Sequence, residues 1–121
     1  MTATAEREAP IAVLGAGSWG TALAIQLARS GRATRLWGRD VAQMRAMSAE
    51  RRNARYLPGA TFPESLTVAS ELPAALHGSL DVLVSVPSHS FRSVLQEIAP
   101  RLDSTTRVAW SPHPQRMAAI P

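Results

Sequence analysis

Residues 11–20 read Ile-Ala-Val-Leu-Gly-Ala-Gly-Ser-Trp-Gly, and residues 21–24 continue as Thr-Ala-Leu-Ala. A short apolar run therefore breaks into three glycines with the spacing G-x-G-x-x-G, and a segment rich in alanine and leucine follows. A strand, a tight turn and a helix in this order form the site that holds the pyrophosphate of a dinucleotide. The stretch predicts an α/β domain that binds such a ligand.

Each glycine of the turn has a separate expected role. Gly15 allows the tight turn after the strand, Gly17 lets the backbone approach the pyrophosphate, and Gly20 allows close contact between helix and strand. The first N–H groups of the helix then face the phosphates, whose charge the helix dipole favours. The alternative is a fortuitous glycine turn in an α/β domain, and the strand before and helix after the motif argue against it.

Size and composition set the class of protein. The 121 residues suffice for one domain, and 45% hydrophobic with 18% charged residues is a usual globular balance. No apolar run reaches the roughly 20 residues that span a bilayer. Glu6, Arg7 and Glu8 stand where a signal peptide would be apolar. The chain has no cysteine, so it has no thiolate zinc site; we expect no metal and a cytoplasmic location.

The basic residues suggest a nucleic-acid partner only at first sight. All 13 are arginines, the net charge is only +4, and aromatic residues make up 5%. The arginines are spread along the chain, with one close cluster of Arg51, Arg52 and Arg55. Nucleic-acid binders concentrate charge on one face and interleave aromatics for stacking. The pattern favours a solvated arginine-rich surface and no nucleic-acid partner.

Strands and helices alternate along the rest of the chain. We predict strands at 11–14, 34–37, 66–69, 81–86 and 107–110. We predict helices at 18–30, at 41–50 with Asp40 as cap, at 71–77 with Ser70 as cap, and at 90–99. Residues 51–62 are expected to form a polar loop. The alternation predicts a doubly wound (Rossmann) parallel sheet over residues 10–110, flanked by a disordered arm at 1–9 and an irregular tail at 111–121.

The end of the second strand bears on the choice of cofactor. A carboxylate there would accept hydrogen bonds from the ribose 2′-hydroxyl of NAD, but this chain has Gly38 and Arg39. An arginine suits a 2′-phosphate, so we expect NADP or NAD. The alternative is that Arg39 is only a solvated turn residue.

The chain resembles the N-terminal cofactor domain of bacterial NAD(P)-dependent glycerol-3-phosphate dehydrogenase from about residue 10 to residue 110. The resemblance rests on segments in matching order: 15–24, Trp37-Gly38-Arg39, Asn53-x-x-Tyr56-Leu57-Pro58 and 81–89. It implies interconversion of glycerol 3-phosphate and dihydroxyacetone phosphate, the entry step to phospholipid glycerol backbones. A ketopantoate- or hydroxyacid-type reductase on the same fold is the alternative, and the last two segments argue against it.

Carried over position by position, the resemblance implies cofactor contacts at the phosphate turn, at the adenosine ribose, and beside the nicotinamide half. The residues are Gly15, Gly17, Ser18, Trp19, Gly20, Arg39, Tyr56, Pro87 and Phe91. His89 is the tempting acid–base residue because an imidazole titrates near neutral pH. The resemblance gives it a structural place in the loop, so we predict no catalytic residue in this chain.

After Trp110 the chain departs from the family pattern. The family continues into a Lys-Gly pair, whereas this chain has His113 at the place of the lysine and no lysine anywhere. We therefore expect a product that is truncated or divergent after Trp110. It would lack the helical substrate domain and be inactive alone, with marginal stability or dependence on a homo-oligomer or complementing chain. The alternative function is a non-catalytic dinucleotide-binding module that acts with a partner chain.

Overall fold

The computed structural model describes residues 9–111, so the predicted arm and tail, with His113, lie outside it apart from residues 9 and 111. The strands of this part are β1 (Ile11–Leu14), β2 (Thr34–Trp37), β3 (Arg52–Asn53), β4 (Leu57–Thr61), β5 (Leu66–Ala69), β6 (Asp81–Val84) and β7 (Arg107–Trp110). The helices are α1 (Ser18–Arg29), α2 (Val41–Glu50), α3 (Leu72–Leu76) and α4 (Ser88–Ile98), followed by a 3₁₀ turn at Ala99–Arg101.

Five parallel strands form the main sheet in the order β5-β2-β1-β6-β7. The predicted doubly wound α/β fold is therefore confirmed. Successive residues of a strand point to opposite faces, so β1 serves two cores. The core on the side of α3 and α4 contains Ala12, Leu14, Leu72, Ala75, Val82, Val84, Val94 and Ile98. The core on the side of α1 and α2 contains Val13, Ala24, Ile25, Ala28, Leu36, Met44, Met47 and Leu66.

The small residues of α1 lie against the sheet. Gly20, Ala24 and Ala28 are all buried, and they recur every four residues, as the sequence pattern predicts for one helix face. Asp40 caps α2 as predicted, because its Oδ1 accepts a hydrogen bond from the Gln43 N–H at 3.1 Å. The turns that lead from β1 into α1 and from β2 into α2 therefore both lie at the carboxyl ends of the parallel strands.

The predicted polar loop at 51–62 is wrong in part. β3 and β4 pair there as an antiparallel hairpin. β4 was not predicted because it contains Pro58 and Gly59, which are residues typical of turns. The hairpin is nevertheless anchored, because Asn53 in β3 is fully buried.

Several element boundaries also differ from prediction by one or two residues. α3 begins at Leu72 after Glu71 and has no side-chain cap, so Ser70 is not its cap; Pro73 is tolerated because first-turn N–H groups have no partner within a helix. β6 ends at Val84, not at residue 86, and α4 begins at Ser88, directly after Pro87. The loop between them is therefore short.

Asp81 links three elements at the amino ends of the strands. Its carboxylate accepts hydrogen bonds from the Arg32 Nη2 at 2.8 Å and from the Arg107 Nε at 2.7 Å. Burial raises the pKa of Asp81, but the hydrogen bonds and charges of Arg107 and Arg32 outweigh it, so the pKa lies below its ordinary value. This ion cluster is at the end of the sheet opposite the glycine turn.

β7 is the outer strand of the sheet on the side of β6. All four of its residues are exposed, and Val108 and Trp110 are 40% and 41% exposed. Among residues 9–111, no helix has the length and apolar character needed to cross a membrane.

Candidate functional site

The strand order places a crevice at the carboxyl ends of β1 and β6. The chain leaves β1 toward β2 on one side and later returns to pair β6 on the other. Gly15 follows β1 and Ser85 follows β6, with Leu14 and Val84 in register. Ligands of open α/β sheets bind at such a switch point, because the loops diverge there and leave a gap.

Backbone atoms crowd two of the three glycines. An added Cβ on Gly15, whose φ is +120°, would lie 2.0 Å from the Ser85 carbonyl oxygen. An added Cβ on Gly20 would lie 1.9 Å from the Gly15 carbonyl oxygen. At Gly17 an added Cβ would meet nothing within 4 Å. Gly15 and Gly20 therefore build the turn, whereas Gly17 faces open space beside it, as close approach of a ligand requires.

Two neighbouring cavities, of about 340 and 380 Å³, form a groove over the turn. Both are lined by Gly15, Ala16, Gly17, Tyr56, Val86 and Pro87. The first extends along the end of β2 to Trp37, Gly38, Arg39, Asp40, Gln43 and Arg55. The second extends along the start of α1 to Ser18, Trp19, Gly20 and Ser85. A long ligand with a central phosphate group matches this shape.

The β2 end of the groove carries two arginines. Arg39 pairs with Glu97 at 2.9 Å, and its guanidinium lies 5.8 Å from the centroid of the Trp37 ring. Arg55 lies 3.9 Å from the Asp40 carboxylate. The carboxylate of Asp40 is occupied as the cap of α2. The two guanidinium groups are balanced by the exposed carboxylates of Asp40 and Glu97, and both can exchange these partners for an anionic group of a ligand.

The arginine cluster of residues 51–55 does not form one basic face. Arg51 donates to the Pro63 carbonyl at 2.8 Å, and Arg52 lies 3.6 Å from Glu50. Arg55 is the member that reaches the groove. The three side chains are thus directed to different partners, as expected for a solvated surface.

Eight of the nine predicted cofactor residues line this groove: Gly15, Gly17, Ser18, Trp19, Gly20, Arg39, Tyr56 and Pro87. Their contact with a cofactor stays a prediction. Phe91 does not line either cavity; its ring stacks on Trp110 with centroids 4.4 Å apart. The Trp110 indole in turn donates to the Val86 carbonyl at 3.2 Å. Phe91 is therefore linked to the loop after β6 through Trp110.

Trp19 and the exposed His89 lie on different helices, α1 and α4. The Trp19 indole donates to the Ser111 hydroxyl at 3.1 Å, so α1 is tied to the end of β7. His89 is exposed in the first turn of α4. Within residues 9–111 no group of three or more His, Cys, Asp and Glu side chains forms a metal site.

Asn53 was not among the predicted site residues. Its Nδ2 donates to the Ala16 carbonyl at 3.0 Å and to the Thr21 hydroxyl at 2.8 Å. Its Oδ1 accepts from the Tyr56 N–H at 3.2 Å. A buried amide satisfied on both sides joins the glycine turn to the opposite rim of the groove. The only signal in the sequence was its place three residues before Tyr56.

Residues 10–112 match the sequence model of a family described as the N-terminus of NAD-dependent glycerol-3-phosphate dehydrogenase. A glycerol-3-phosphate dehydrogenase [NAD(P)+] of Thioalkalivibrio sulfidiphilus is 53% identical over 102 residues, which are 84% of this chain and 31% of the relative. The chain therefore spans about a third of the length of such relatives.

Solved structures show the same likeness. The crystal structure of glycerol-3-phosphate dehydrogenase from Coxiella burnetii superposes with a TM-score of 0.84 at 48% identity, over 87% of this chain and 32% of that one. The enzyme of Saccharomyces cerevisiae superposes with a TM-score of 0.76 at 20% identity, over 85% of this chain and 33% of that one. The yeast structure supports the fold alone.

Proposed function

Since the chain belongs to the NAD-dependent glycerol-3-phosphate dehydrogenase family, we propose that residues 10–110 are the NAD(P)-binding domain of an enzyme that interconverts glycerol 3-phosphate and dihydroxyacetone phosphate. The observation that carries the proposal is the groove over the glycine turn. It lies at the switch point of the sheet, and its floor at Gly17 is open where a Cβ would otherwise stand. The residues present therefore fit a dinucleotide.

The cofactor-binding roles belong to this proposal. The turn of Gly15, Gly17 and Gly20 lets the start of α1 approach the pyrophosphate, with Ser18 and Trp19 beside it. The remaining contacts are proposed for Arg39 at the adenosine ribose or its 2′-phosphate, Tyr56 at the rim, and Pro87 beside the nicotinamide half. Phe91 lines neither cavity, so its proposed place beside the nicotinamide requires it to leave its stack on Trp110. When bound, the nicotinamide supplies or accepts the hydride; these side chains bind and orient it.

We assign binding but no turnover to the 121 residues themselves. Reduction of a ketone needs a group that polarises the carbonyl and a proton donor for the developing alkoxide. These residues contain no lysine, and His89, which follows Pro87 in the part of the chain that the structure describes, is exposed. The chain matches less than a third of the Thioalkalivibrio relative, and the chemistry is proposed to need the remaining two thirds.

Two measurements on the 121-residue protein test the proposal. Calorimetry measures binding of NADPH and NADH, and absorbance at the nicotinamide band follows NADPH oxidation with dihydroxyacetone phosphate. Binding without oxidation supports the assignment. Oxidation at a rate typical of enzymes contradicts the assigned inactivity, and absence of binding contradicts the cofactor function itself.

A second candidate function is a non-catalytic dinucleotide-binding module completed by a partner chain or a second copy. It is favoured by the outer edge of β7, where Val108 and Trp110 are exposed although parallel sheets are usually covered. Sedimentation analysis over a range of concentrations tests self-association. A monomer at every concentration, with a sharp thermal transition, would remove the need for a partner. The cytoplasmic location is likewise part of the proposal and is tested by cell fractionation.

A further inference from the structure

Asn53 connects three parts of the groove from beneath. It is 0% exposed and makes hydrogen bonds to the Ala16 carbonyl, the Thr21 hydroxyl and the Tyr56 N–H. These partners belong to the glycine turn, the first turns of α1 and the hairpin loop. No buried side-chain nitrogen or oxygen of the described residues lacks a hydrogen-bond partner, and both polar atoms of the Asn53 amide are bonded.

The bond to Ala16 fixes the direction of a neighbouring group. Ala16 C=O and Gly17 N–H belong to one trans peptide, in which the two groups point in opposite directions. Asn53 holds the carbonyl from the buried side of the turn. The Gly17 N–H therefore points to the other side, toward the groove that Gly17 lines.

The bond to Tyr56 fixes the opposite rim. Asn53 Oδ1 accepts the N–H of the residue three positions later, a local bond of an Asn side chain that holds a turn. Tyr56 is 44% exposed and lines both cavities. One amide thus sets both the floor and a wall of the groove.

We propose that Asn53 is a positioning residue for the dinucleotide: its Nδ2 orients the Ala16–Gly17 peptide so that the Gly17 N–H faces the pyrophosphate, and its Oδ1 holds Tyr56 at the rim. The inference rests on the proposed cofactor function. It assigns to Asn53 no contact with the ligand, only control of the groups that make contact.

Asn53→Asp is the variant that tests the donor side. The carboxylate keeps an acceptor for the Tyr56 N–H but no longer donates to the Ala16 carbonyl. That carbonyl then keeps only the longer bond of 3.5 Å from Gln43 Nε2, so the peptide is held less firmly. We expect NADPH affinity to fall at least about tenfold, because N–H groups aimed at a phosphate make charge-assisted hydrogen bonds. The matched control is Thr21→Val, which removes the other acceptor of Nδ2 and leaves the bond to Ala16. We expect its affinity to stay within about twofold even where its melting temperature falls.

Two smaller probes separate positioning from general loosening of the fold. Inorganic pyrophosphate reports on the glycine turn, and 2′-AMP reports on the Arg39 end of the groove. Asn53→Asp is expected to weaken pyrophosphate and leave 2′-AMP within about twofold. Equal losses for both probes, or a loss of NADPH affinity in Thr21→Val as large as in Asn53→Asp, would overturn the proposal.

The wild-type chain gives an independent readout if Asn53→Asp does not fold. In amide NMR spectra, addition of pyrophosphate is expected to shift the Gly17 N–H resonance. A Gly17 resonance that stays unmoved in a protein that binds NADPH overturns the proposal for Asn53 alone. Failure of the wild type to bind NADPH overturns the cofactor function, and the inference with it.

Discussion

Gly17 and Gly20 belong to one turn, yet an added methyl group would meet different surroundings at the two positions. At Gly20 it would lie 1.9 Å from the backbone oxygen of Gly15, which has no free path to move. At Gly17 it would extend into the groove with nothing within 4 Å. A side chain at Gly20 is therefore expected to disturb the fold, whereas a side chain at Gly17 is expected to occupy space in the groove.

Alanine at the two positions should separate these roles. Gly20→Ala is expected to destabilise the fold by about 3 kcal/mol or more, because the overlap is with backbone. Gly17→Ala, at a φ of −79° that any residue adopts, should melt within a few degrees of the wild type and bind NADPH at least about tenfold more weakly. Thermal melting and calorimetry check both. Normal NADPH affinity in Gly17→Ala would contradict the assigned place of the pyrophosphate.

Arg39 pairs with a carboxylate of this chain and also lines the groove, where an anionic ligand group could bind. Its guanidinium pairs with Glu97, and both side chains are more than a third exposed, so this pair contributes little to stability. A 2′-phosphate would offer the same guanidinium a doubly charged, bidentate partner. The exposed ion pair with Glu97 thus holds Arg39 near the groove and is weak enough for a phosphate to replace it.

Replacement of Arg39 should change the choice between cofactors. Arg39→Gln is expected to lower NADPH affinity about tenfold and to leave NADH affinity within about twofold, since only NADPH carries the 2′-phosphate. Arg45→Gln on the exposed side of α2 is the matched control for loss of one positive charge. The measurement is calorimetry at fixed ionic strength. Equal losses for the two cofactors would contradict the role of Arg39.

At the opposite end of the strands, Asp81 joins β6 to β7 and to the turn after α1. Its partners Arg107 and Arg32 hold the pKa of Asp81 below its ordinary value, although burial acts in the other direction. A carboxyl whose pKa is lower in the folded than in the unfolded state stabilises the fold above its unfolded pKa of about 4. The stabilisation is lost as pH falls through the folded pKa.

Asp81→Asn should therefore lower stability at pH 7 and flatten its dependence on acid. We expect a loss of about 1–2 kcal/mol at pH 7, because two arginines lose a charged acceptor. Below about pH 3 the difference from the wild type should shrink. Urea unfolding at a series of pH values measures both effects, with the exposed Glu64→Gln as control. A difference that is constant from pH 7 to pH 2 would contradict the ion cluster.

The strands of the main sheet were predicted from the sequence more accurately than the hairpin beside it. The strands that begin at residues 11, 34, 66 and 107 are four-residue segments with at least two apolar residues, and their bounds agree with prediction. The β3–β4 hairpin was missed because Leu57-Pro58-Gly59 carries turn chemistry inside a strand. The burial of Asn53 was missed because its partners Ala16 and Thr21 are 37 and 32 positions away.

In the candidate site, too, features set by nearby residues were predicted and contacts between distant segments were not. Local spacing placed the glycine turn and Arg39 at one groove, which the structure contains. Phe91 was carried over by resemblance, and its stacking on Trp110 depends on the pairing of β6 with β7. A contact that depends on the pairing of two strands distant in sequence cannot be predicted from either segment alone.

A bound cofactor should stabilise the folded chain as a unit. At a free NADPH concentration about a hundredfold above Kd, linkage adds about 2.7 kcal/mol. For a domain near 100 residues this corresponds to a rise of roughly 10 °C or more in melting temperature. A fluorescence or calorimetric melt with and without NADPH measures the shift, and adenosine is the matched ligand without phosphate. A melting temperature that does not depend on NADPH would contradict binding to the native state.

The central position of β1 makes the groove a late product of chain synthesis. Gly15 closes against the Ser85 carbonyl, and β1 pairs with β6 only after most of the described chain has been made. β1, α1 and β2 can associate earlier, since they are near in sequence, but that unit lacks the wall formed by residues 85–87. The groove is therefore complete on this side only once β6 has joined the sheet, so a nascent chain that captures the proposed cofactor reports that β1 and β6 have paired.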